Sequence, residues 1–469
     1  MRRPRPVFVA ALVLCSLACD GPAAPDAGGT DAGGTDAGAI DAGAPTRAWI
    51  RDEAGGVLIL RGTNVEGASK WTEGFLPPSY QTVDDFRPLV DELGFSAVRF
   101  LVFWEAVEPE RGVYDDAYLA EVRARVEAAG AAGLYVIVDM HQDVFGAGFG
   151  GDGAPRWACD EALYASFTPP DEWFQGYFEP EVAECFDRLW TDPTTRAAYA
   201  AAWARVARAV AGAEGLIAYE LMNEPFWGTA TVRTFERSIA PVAYAEWLDA
   251  IRAEDPAPYV MMGPASAANI GLSSFLVPPD RERLIYGPHL YPPSLERGLG
   301  WTGSADDVLD LADVILDDAL RMGLPVVVGE TGARRDVDGA LTFLDQAYDA
   351  FDARMLGATQ WEGGRGGEGS YDIFELDGTP SSVGRAIARP YPTRVAGEPR
   401  GWSWDGAELA LAWTEDGSAS GETIVALPAV AFPSGADASL ADGGEVRIEG
   451  TRAYVPSIGG DRSLTIRAR

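Results

Sequence analysis

The chain has 469 residues, and its 47% hydrophobic and 10% aromatic content suffices for one large domain and one smaller one. Its formal net charge of -34 excludes nucleic acid as an expected partner, because phosphate binding needs clustered Lys and Arg. Of the 37 basic residues only Lys70 is a lysine, which indicates a position that needs a compact ammonium rather than a guanidinium.

The first 19 residues are typical of an export signal. Arg2, Arg3 and Arg5 precede a short apolar run from residue 7 to residue 17. The sequence around Cys19 (SLAC) resembles a bacterial lipoprotein cleavage site, in which Cys19 would carry the lipid. Because a Ser stands where that pattern usually has Leu, simple cleavage and release is an alternative. We expect an exported protein that is either tethered to a membrane or secreted.

Residues 20–46 form a predicted spacer. A five-residue repeat of Asp, Ala and Gly begins at Asp26, Asp31, Asp36 and Asp41. Small and acidic residues cannot bury enough apolar surface to fold, so we expect a flexible tether between the lipid and a folded domain.

Residues 47–390 alternate between strand-like and helix-like segments, which favours parallel strands joined by helices. The predicted strands are residues 58–62, 97–100, 134–139, 217–221, 260–263, 284–287, 326–329 and 357–360. Amphipathic segments separate most of them, namely residues 83–93, 118–132, 194–210, 244–254, 306–322 and 339–354. Eight such units predict a (β/α)8 TIM barrel rather than an open doubly wound sheet. The sequence predicts no cofactor, since no Gly-rich phosphate loop follows the first strand.

Rare polar side chains follow the predicted strands. A barrel enzyme keeps its chemistry at the carboxyl ends of its strands. Both histidines and the sole lysine of the chain fall at this edge. The candidates, in strand order, are Lys70, Arg99, His141, Asp143, Asn223, Glu224, His289, Tyr291, Glu330 and Trp361.

Two glutamates in this set suggest glycoside hydrolysis. Glu224 lies among Met222, Pro225, Phe226 and Trp227, where an apolar setting favours the protonated acid, so it is a candidate general acid. Glu330 follows the seventh strand, on the opposite side of the barrel from the fourth. Carboxyl groups about 5 Å apart would make Glu330 a nucleophile with retention of configuration, whereas a wider gap would admit water and invert it.

Three further side chains fit a sugar site. Tyr291 could donate a hydrogen bond that keeps Glu330 ionised, and Asn223 could bind a sugar 2-hydroxyl. Trp361 offers an apolar plane for a pyranose ring, although it could instead close the barrel as a core residue.

The segment after the third strand, residues 143–193, is too long for an ordinary connection and is rich in aromatic residues. It could form an apolar wall beside the site, or its rings could only pack the segment onto the barrel. Cys159 and Cys185 lie within it, and in an oxidising compartment we expect them to form a disulfide. No local histidine completes a zinc site with them, so we predict no metal.

Residues 391–469 change to short alternating strands with Gly and Pro between them, which predicts a small antiparallel β-sandwich.

At the candidate residues the chain resembles glycoside hydrolase family 5, and within it the endoglycoceramidases. The general pattern is matched by Arg99, His141, Asn223, Glu224, His289, Tyr291, Glu330 and Trp361. The narrower likeness rests on residues 64–70 (NVEGASK), 139–145 (DMHQDVF), 151–157 (GDGAPRW), 221–226 (LMNEPF) and 389–392 (RPYP).

The resemblance implies retaining hydrolysis of the bond between an oligosaccharide and ceramide, so a glycosphingolipid is the expected substrate. Glu224 would be the acid/base and Glu330 the nucleophile. The glucose would be held by Lys70, His141, Asp143, Asn223, Tyr291 and Trp361. An exo-acting glucosylceramidase or other β-glucosidase is an alternative, and so is a glycolipid-binding lipoprotein without activity. Glu362 stands where the family usually has a small polar residue, which is a departure near the lipid side.

Overall fold

The computed structural model describes residues 47–367 and 370–469. The predicted export signal, the lipid-bearing Cys19 and the spacer over residues 20–46 lie outside the described residues. Among the helices that are described, none is long and apolar enough to cross a membrane.

The described chain forms a closed parallel barrel, as the sequence predicts. Its strands are Arg61–Val65, Ala97–Phe103, Tyr135–His141, Leu216–Glu220, Tyr259–Met262, Leu284–Tyr286 continued by His289–Leu290, Val327–Thr331 and Gly357–Gln360. Each strand pairs with its neighbour in chain order, and the eighth also pairs with the first. The sixth strand is interrupted at Gly287 and Pro288, and both of its parts pair with the seventh.

The predicted start of the first strand is wrong. Val57 and Leu58 do not belong to the barrel, because they pair antiparallel with Val395 and Arg394 of the C-terminal domain. The barrel strand begins at Arg61 instead. Both segments are buried, and the apolar run from Val57 to Leu60 leads directly into Arg61, so local composition did not separate a strand of one sheet from a strand of the other.

Helices cover the outside of the barrel and fill its connections. Their bounds are Val83–Asp91, Trp104–Val107, Asp116–Ala131, Glu161–Ser166, Pro180–Thr191, Pro193–Val210, Val232–Thr234, Ala240–Glu254, Pro293–Glu296, Ala305–Met322, Ala340–Ala353 and Ser382–Ile387. Short 3-10 turns span Gly67–Trp71, Ala147–Phe149, Arg156–Ala158, Trp173–Phe178 and Ser266–Ile270, and one π turn spans Phe235–Ile239.

Local chemistry sets the ends of the long helices. The Asp115 carboxylate accepts from the backbone amides of Ala117 and Tyr118, so the helix begins there. Ser304 and Asp307 form a capping box at the start of another helix. That helix ends at Gly323, whose φ of 68° is in the left-handed region that glycine adopts freely.

The C-terminal domain is the predicted antiparallel β-structure. One sheet contains, in spatial order, Val57–Leu58, Tyr391–Val395, Glu422–Ala426, Arg452–Pro456 and Arg447–Glu449. The other contains Glu398–Trp404, Glu408–Glu415, Gly460–Ala468 and Ala436–Leu440. Alternate residues such as Leu409, Leu411 and Trp413 are buried in a shared core, as the period of a half-buried strand requires.

A buried ion pair within the barrel contacts two aromatic residues of this domain and so connects the two. Arg61 is 1% exposed, and its Nη1 lies 2.7 Å from Oδ1 of Asp352. The same oxygen accepts a 2.6 Å hydrogen bond from Nε1 of Trp402, and the other oxygen accepts one from Arg389. The Tyr391 ring covers the Arg61 guanidinium at 5.0 Å. Asp352 therefore neutralises two buried cations and holds a tryptophan of the second domain.

Asp352→Ala should destabilise the protein by about 3–5 kcal/mol, because it leaves the Arg61 charge buried without a carboxylate partner. Urea unfolding followed by tryptophan fluorescence measures this loss. The exposed pair of Asp249 with Arg281, 2.9 Å apart, provides the control, and Asp249→Ala should cost several-fold less. Equal losses for the two variants would contradict the structural role of Asp352.

Candidate active site

The candidate residues lie together at the carboxyl ends of the barrel strands. Two groups of contacts connect them. Glu224, His289, Glu330, Tyr291, Arg99 and Asn223 form one, and Lys70, Asp143, His141 and Trp361 form the other. Asp139 joins the two groups, since its Oδ2 lies 3.1 Å from Arg99 and 2.7 Å from Nδ1 of His141. The structure therefore brings all ten predicted side chains into one site.

The two glutamates face each other across the mouth of the barrel. One carboxylate oxygen of Glu224, one of Glu330 and a ring nitrogen of His289 all lie within 4.8 Å of one another. Glu224 adopts a φ of 41°, a left-handed conformation that is strained for a residue with a side chain. Strain of this kind persists where the surrounding structure fixes a functional group.

Cations hold the Glu330 carboxylate in its ionised form. Its Oε1 accepts a 2.6 Å hydrogen bond from Arg99, and its Oε2 accepts a 3.0 Å hydrogen bond from the Tyr291 hydroxyl. Burial raises the pKa of Glu330, but the charges of His289, Arg99, His141 and Lys70 outweigh burial and bring this pKa below its ordinary value. A carboxylate that stays ionised in a buried site is suited to act as a nucleophile.

Glu224 has a different set of partners. Its Oε1 accepts a 2.8 Å hydrogen bond from the Asn269 amide and lies 3.0 Å from Nδ1 of His289. His289 also lies 3.7 Å from Oε2 of Glu330, so one imidazole is placed between the two carboxylates. Burial lowers the pKa of His289, but the charges of Glu330 and Glu224 raise it above its ordinary value.

Arg99 lies beneath the glutamates, wholly buried inside the barrel. Its guanidinium bonds to both oxygens of Glu220 at 2.6 and 3.0 Å and to the amide oxygens of Asn64 and Asn223. The Asn223 amide group also donates to the Gln142 carbonyl at 3.0 Å. Arg99 thus connects the first, third, fourth and seventh strands.

Lys70 lies on the other side of the site, where it forms an ion pair with Asp143. Its ammonium also stands 4.4 Å from the centre of the Trp361 ring, a cation–π contact. Trp361 is half-buried and stacks on His141 with ring centres 5.8 Å apart. The compact ammonium of Lys70 fits between the Asp143 carboxylate and the Trp361 indole. This position is consistent with the retention of a single lysine in the chain.

Sequence reasoning missed four residues that shape the site. Asp139 and Glu220 are acidic residues within buried, largely apolar strands, a signal that could have identified them. Asn64 belongs to the first strand and its role depends on tertiary contact with Arg99. Asn269 lies in a short turn after the fifth strand, and nothing in the local sequence indicated that it would reach Glu224.

The long third connection is folded rather than irregular. It contains the helices Glu161–Ser166 and Pro180–Thr191, and a disulfide joins Cys159, just before the first helix, to Cys185 in the middle of the second. Most of its aromatic rings pack into the barrel core, among them Phe145, Phe149 and Tyr177. Trp173 and Phe178 remain 56% and 52% exposed. Packing onto the barrel therefore accounts for most rings of this segment, and the apolar wall beside the site stays a prediction for the exposed pair.

Glu362, the departure from the family pattern, turns away from the solvent. Its carboxylate accepts a hydrogen bond from the backbone amide of Gly67, and burial raises its pKa to about 7. It therefore supports the turn that carries Lys70.

Two groups of His and acidic side chains are compact enough to be considered as metal sites, one around Asp143 and one around Glu330. In each group the carboxylate already has a cation of the protein beside it, Lys70 in the first and Arg99 in the second. A metal ion would be repelled by these charges at short range, so the groups are better suited to neutral hydroxyls.

Comparison with known proteins agrees with this chemistry. The cellulase family of glycosyl hydrolase family 5 matches residues 53–366, and the glycoside hydrolase family 5 C-terminal domain matches residues 389–458. Endoglycoceramidase I of Rhodococcus hoagii is 28% identical over 384 residues, which cover 75% of this chain and 73% of that protein. A glucosylceramidase of Cryptococcus neoformans is 29% identical over 238 residues, or 38% and 32% of the two chains.

Solved structures give the same result. Endo-glycoceramidase II from Rhodococcus sp. in complex with ganglioside GM3 is 30% identical and superposes with a TM-score of 0.82 over 90% of this chain and 100% of that one. Its lactosyl-enzyme intermediate is also 30% identical and superposes with a TM-score of 0.80 over the same shares. The family model covers well over half of the chain, and the fold and the facing glutamates agree with it. The chain therefore belongs to glycoside hydrolase family 5.

Proposed function

We propose that the protein is a retaining endo-β-glycosidase that hydrolyses the bond between the oligosaccharide and ceramide of a glycosphingolipid. The observation that carries this proposal is the separation of the two glutamates, whose nearest oxygens lie within 4.8 Å. Retaining glycosidases hold their carboxyl groups roughly 5–5.5 Å apart, whereas inverting enzymes need roughly 6.5–9.5 Å to admit water.

The reaction proceeds in two steps. Glu330 attacks the anomeric carbon while Glu224 gives its proton to the glycosidic oxygen, so that ceramide leaves as an alcohol and a glycosyl–Glu330 ester remains. Water then enters in place of ceramide, and Glu224 takes its proton as the water oxygen attacks the same carbon. The C–O bond to Glu330 breaks, Glu330 becomes a carboxylate again, and the sugar keeps its β configuration.

The contacts of the glutamates support these roles. Arg99 and Tyr291 each donate to a different oxygen of Glu330, which orients the carboxylate for attack. The Tyr291 pKa is raised well above its ordinary value by burial and by the Glu330 charge, so its phenol stays a donor. His289, between the two glutamates, can move its hydrogen bond from one carboxylate to the other as the charges change.

The second group of side chains binds the sugar next to the scissile bond. Lys70 and Asp143 together offer a donor and an acceptor for neighbouring hydroxyls. His141 has its Nε2 buried and without a hydrogen-bond partner in the described chain, so a sugar hydroxyl would satisfy it. The half-buried Trp361 supplies an apolar face for the ring, and Asn223 has an amide hydrogen left for the 2-hydroxyl.

A lipid leaving group is supported by the aromatic surface beside Glu224. Phe178 is 52% exposed, and its ring lies 5.5 Å from that of Phe226 and 6.1 Å from that of Trp227. Phe226 and Trp227 come two and three residues after Glu224 in the chain. Phe226 is buried beneath the other two rings, and an alkyl chain leaving from the proton-donating side would contact Phe178 and Trp227.

Two alternatives remain open to experiment. An exo-acting glucosylceramidase would use the same two glutamates, and some similar proteins carry that name. A lipoprotein that only binds glycolipid would need neither the strained Glu224 nor the charge network under Glu330.

We also propose that the protein is exported and tethered through Cys19, on the basis of the Arg-rich start, the apolar run and the sequence around Cys19. A tether of this kind would keep the enzyme close to membrane-bound glycolipid.

The two glutamates should give different defects when replaced. Glu330→Gln should lower kcat/KM for lactosylceramide by roughly a thousandfold or more, because no glycosyl ester can form. Glu224→Ala should still react with 2,4-dinitrophenyl β-lactoside, whose leaving group needs no proton, and should accumulate lactosyl-enzyme. Added azide should then release β-lactosyl azide, identified by NMR.

Glu246→Gln, on the surface beside Arg196, is the matched control and should keep full activity. An α-configured azide from Glu224→Ala, or an active Glu330→Gln, would show that the roles are assigned wrongly.

Incubation with lactosylceramide in detergent micelles should release intact lactose and ceramide, resolved by mass spectrometry. Galactose as the sole sugar product would favour exo-action. Equal turnover of glucosylceramide and lactosylceramide would weaken the preference for an oligosaccharide, and no turnover of either would favour a binding protein.

Cys19→Ala should move the protein from the membrane fraction to the soluble fraction and abolish incorporation of labelled palmitate. Cys15→Ala, within the same apolar run, is the control and should leave both unchanged. A fractionation that does not respond to Cys19→Ala would refute the tether.

A further inference from the structure

Asp152 is a buried acid that the reaction described above does not use. It lies in the third connection, where its backbone pairs with that of Asp143 through two hydrogen bonds of 3.0 and 3.1 Å. The residue is 1% exposed, and neither of its carboxylate oxygens has a hydrogen-bond partner in the part of the chain that the structure describes. A buried carboxyl group without donors is costly and persists where it has a task.

The nearest polar groups are those of the sugar site. One oxygen of Asp152, one of Asp143 and a ring nitrogen of His141 all lie within 4.8 Å of one another. Nδ1 of His141 is bound to Asp139, so Nε2, 3.9 Å from Asp143, is the nitrogen left for other partners. Nε2 is likewise without a hydrogen-bond partner among the described residues. A donor and an acceptor therefore stand close together, and neither is satisfied.

The neighbouring carboxyl groups of Asp143 and Asp152 have pKa values shifted in opposite directions. Burial raises the pKa of Asp152 to about 7, helped by the Asp143 charge and opposed by Lys70 and His141. Burial also acts on Asp143, but Lys70 and His141 bring the pKa of that group below its ordinary range. Below a pH of about 7 the pair therefore holds one proton, which resides on Asp152.

Other titratable groups also face Asp152. Burial and Lys70 lower the pKa of His141, but Asp139 raises it to about 9, so the ring is a cation with a hydrogen on Nε2. Burial raises the pKa of Tyr177 well above its ordinary value, and it remains a neutral phenol. Burial raises the pKa of Glu105, whose carboxylate accepts from the Gly153 amide at 3.0 Å.

We propose that Asp152 is a positioning residue whose protonation state decides whether the Nε2–H group of His141 is free to bind a sugar hydroxyl. The inference rests on the sugar-binding role proposed for His141. When Asp152 is protonated it does not compete for that hydrogen, and the sugar receives it. When Asp152 is ionised it becomes a second charged acceptor within 4.8 Å of the His141 ring nitrogen and competes with the sugar for the His141 hydrogen.

Linkage fixes the sign of the effect. If sugar binds only to the form with protonated Asp152, binding takes up a proton, and affinity falls as pH rises through the pKa of about 7. One linked proton gives a roughly tenfold weaker Kd by pH 8 than at pH 6.

Lactose is a suitable probe because it has no titratable group. Calorimetric titration of the full chain from pH 5.5 to pH 8.5 should give a Kd that rises roughly thirtyfold over this range, with proton uptake seen as a dependence on buffer ionisation heat. Asp152→Asn, which mimics the neutral acid, should bind tightly at every pH without proton uptake. Glu246→Gln, on the surface beside Arg196, is the control and should behave as the wild type does.

Stability against pH provides a measurement that does not need lactose. The native pKa of Asp152 lies above the value of roughly 4 for an unfolded chain, so its contribution to stability is present below pH 4 and is lost as pH rises towards 7. The gain in unfolding free energy of Asp152→Asn over the wild type should therefore grow from pH 4 to pH 7 and then stay constant. Asp152→Ser replaces Asp152→Asn if the amide does not fold.

The outcomes distinguish the two proposals. Lactose binding with the same pH dependence in Asp152→Asn as in the wild type overturns the role of Asp152 and leaves the proposed function intact. Wild-type binding that is independent of pH does the same. Failure of wild-type protein to bind lactose at any pH overturns both proposals.

Discussion

The active site depends on one buried guanidinium. Arg99 is wholly buried, and its nitrogens bond to Asn64, Glu220, Asn223 and Glu330, with Asp139 at 3.1 Å. These partners come from strands on both sides of the barrel, so a single planar group fixes the distance between them. The planar guanidinium has five donor hydrogens in fixed directions, which an ammonium could not match. The position of Glu330 is therefore a property of the barrel interior rather than of a mobile loop.

The same network makes the two glutamates chemically different. Glu330 receives a guanidinium and a phenol, whereas Glu224 receives an amide and an imidazole. The cations around Glu330 hold its pKa low although it is buried. Glu220, which has the same guanidinium beside it, has its pKa raised to about 7 by burial and by Asp139, so a single Arg99 does not keep every carboxyl of the group ionised. The opposite tasks proposed for Glu224 and Glu330 rest on their surroundings, because the two side chains are identical.

The sequence predicted those parts of the site that each strand carries by itself. Polar residues after apolar runs identified Glu224, Glu330 and His141, because parallel strands bring their carboxyl ends to one edge. Contacts between distant segments were not predictable in this way. Asn269 donates to Glu224 from a turn that has no local sequence signal. Val57 and Leu58 pair with the C-terminal sheet, although the sequence predicted that the first barrel strand begins at Leu58. Both outcomes depend on tertiary packing, which local composition does not encode.

The residues proposed to bind sugar and those proposed to contact lipid are held in place by different interactions. The groups proposed to bind sugar lie at strand ends, where the pairing of the barrel strands and the hydrogen bonds of Arg99 fix their positions. The exposed rings beside Glu224 belong to the third connection, which is held by the Cys159–Cys185 disulfide and by packing of Phe178 on Phe226. Asp152 lies where these two sets of residues meet, since its backbone is paired to Asp143 while its chain leads into the disulfide-linked helices. One backbone stretch thus carries both Asp152 and the start of the disulfide-linked helices, so the position of the Asp152 carboxyl beside His141 is fixed by the packing of the third connection as well as by the barrel.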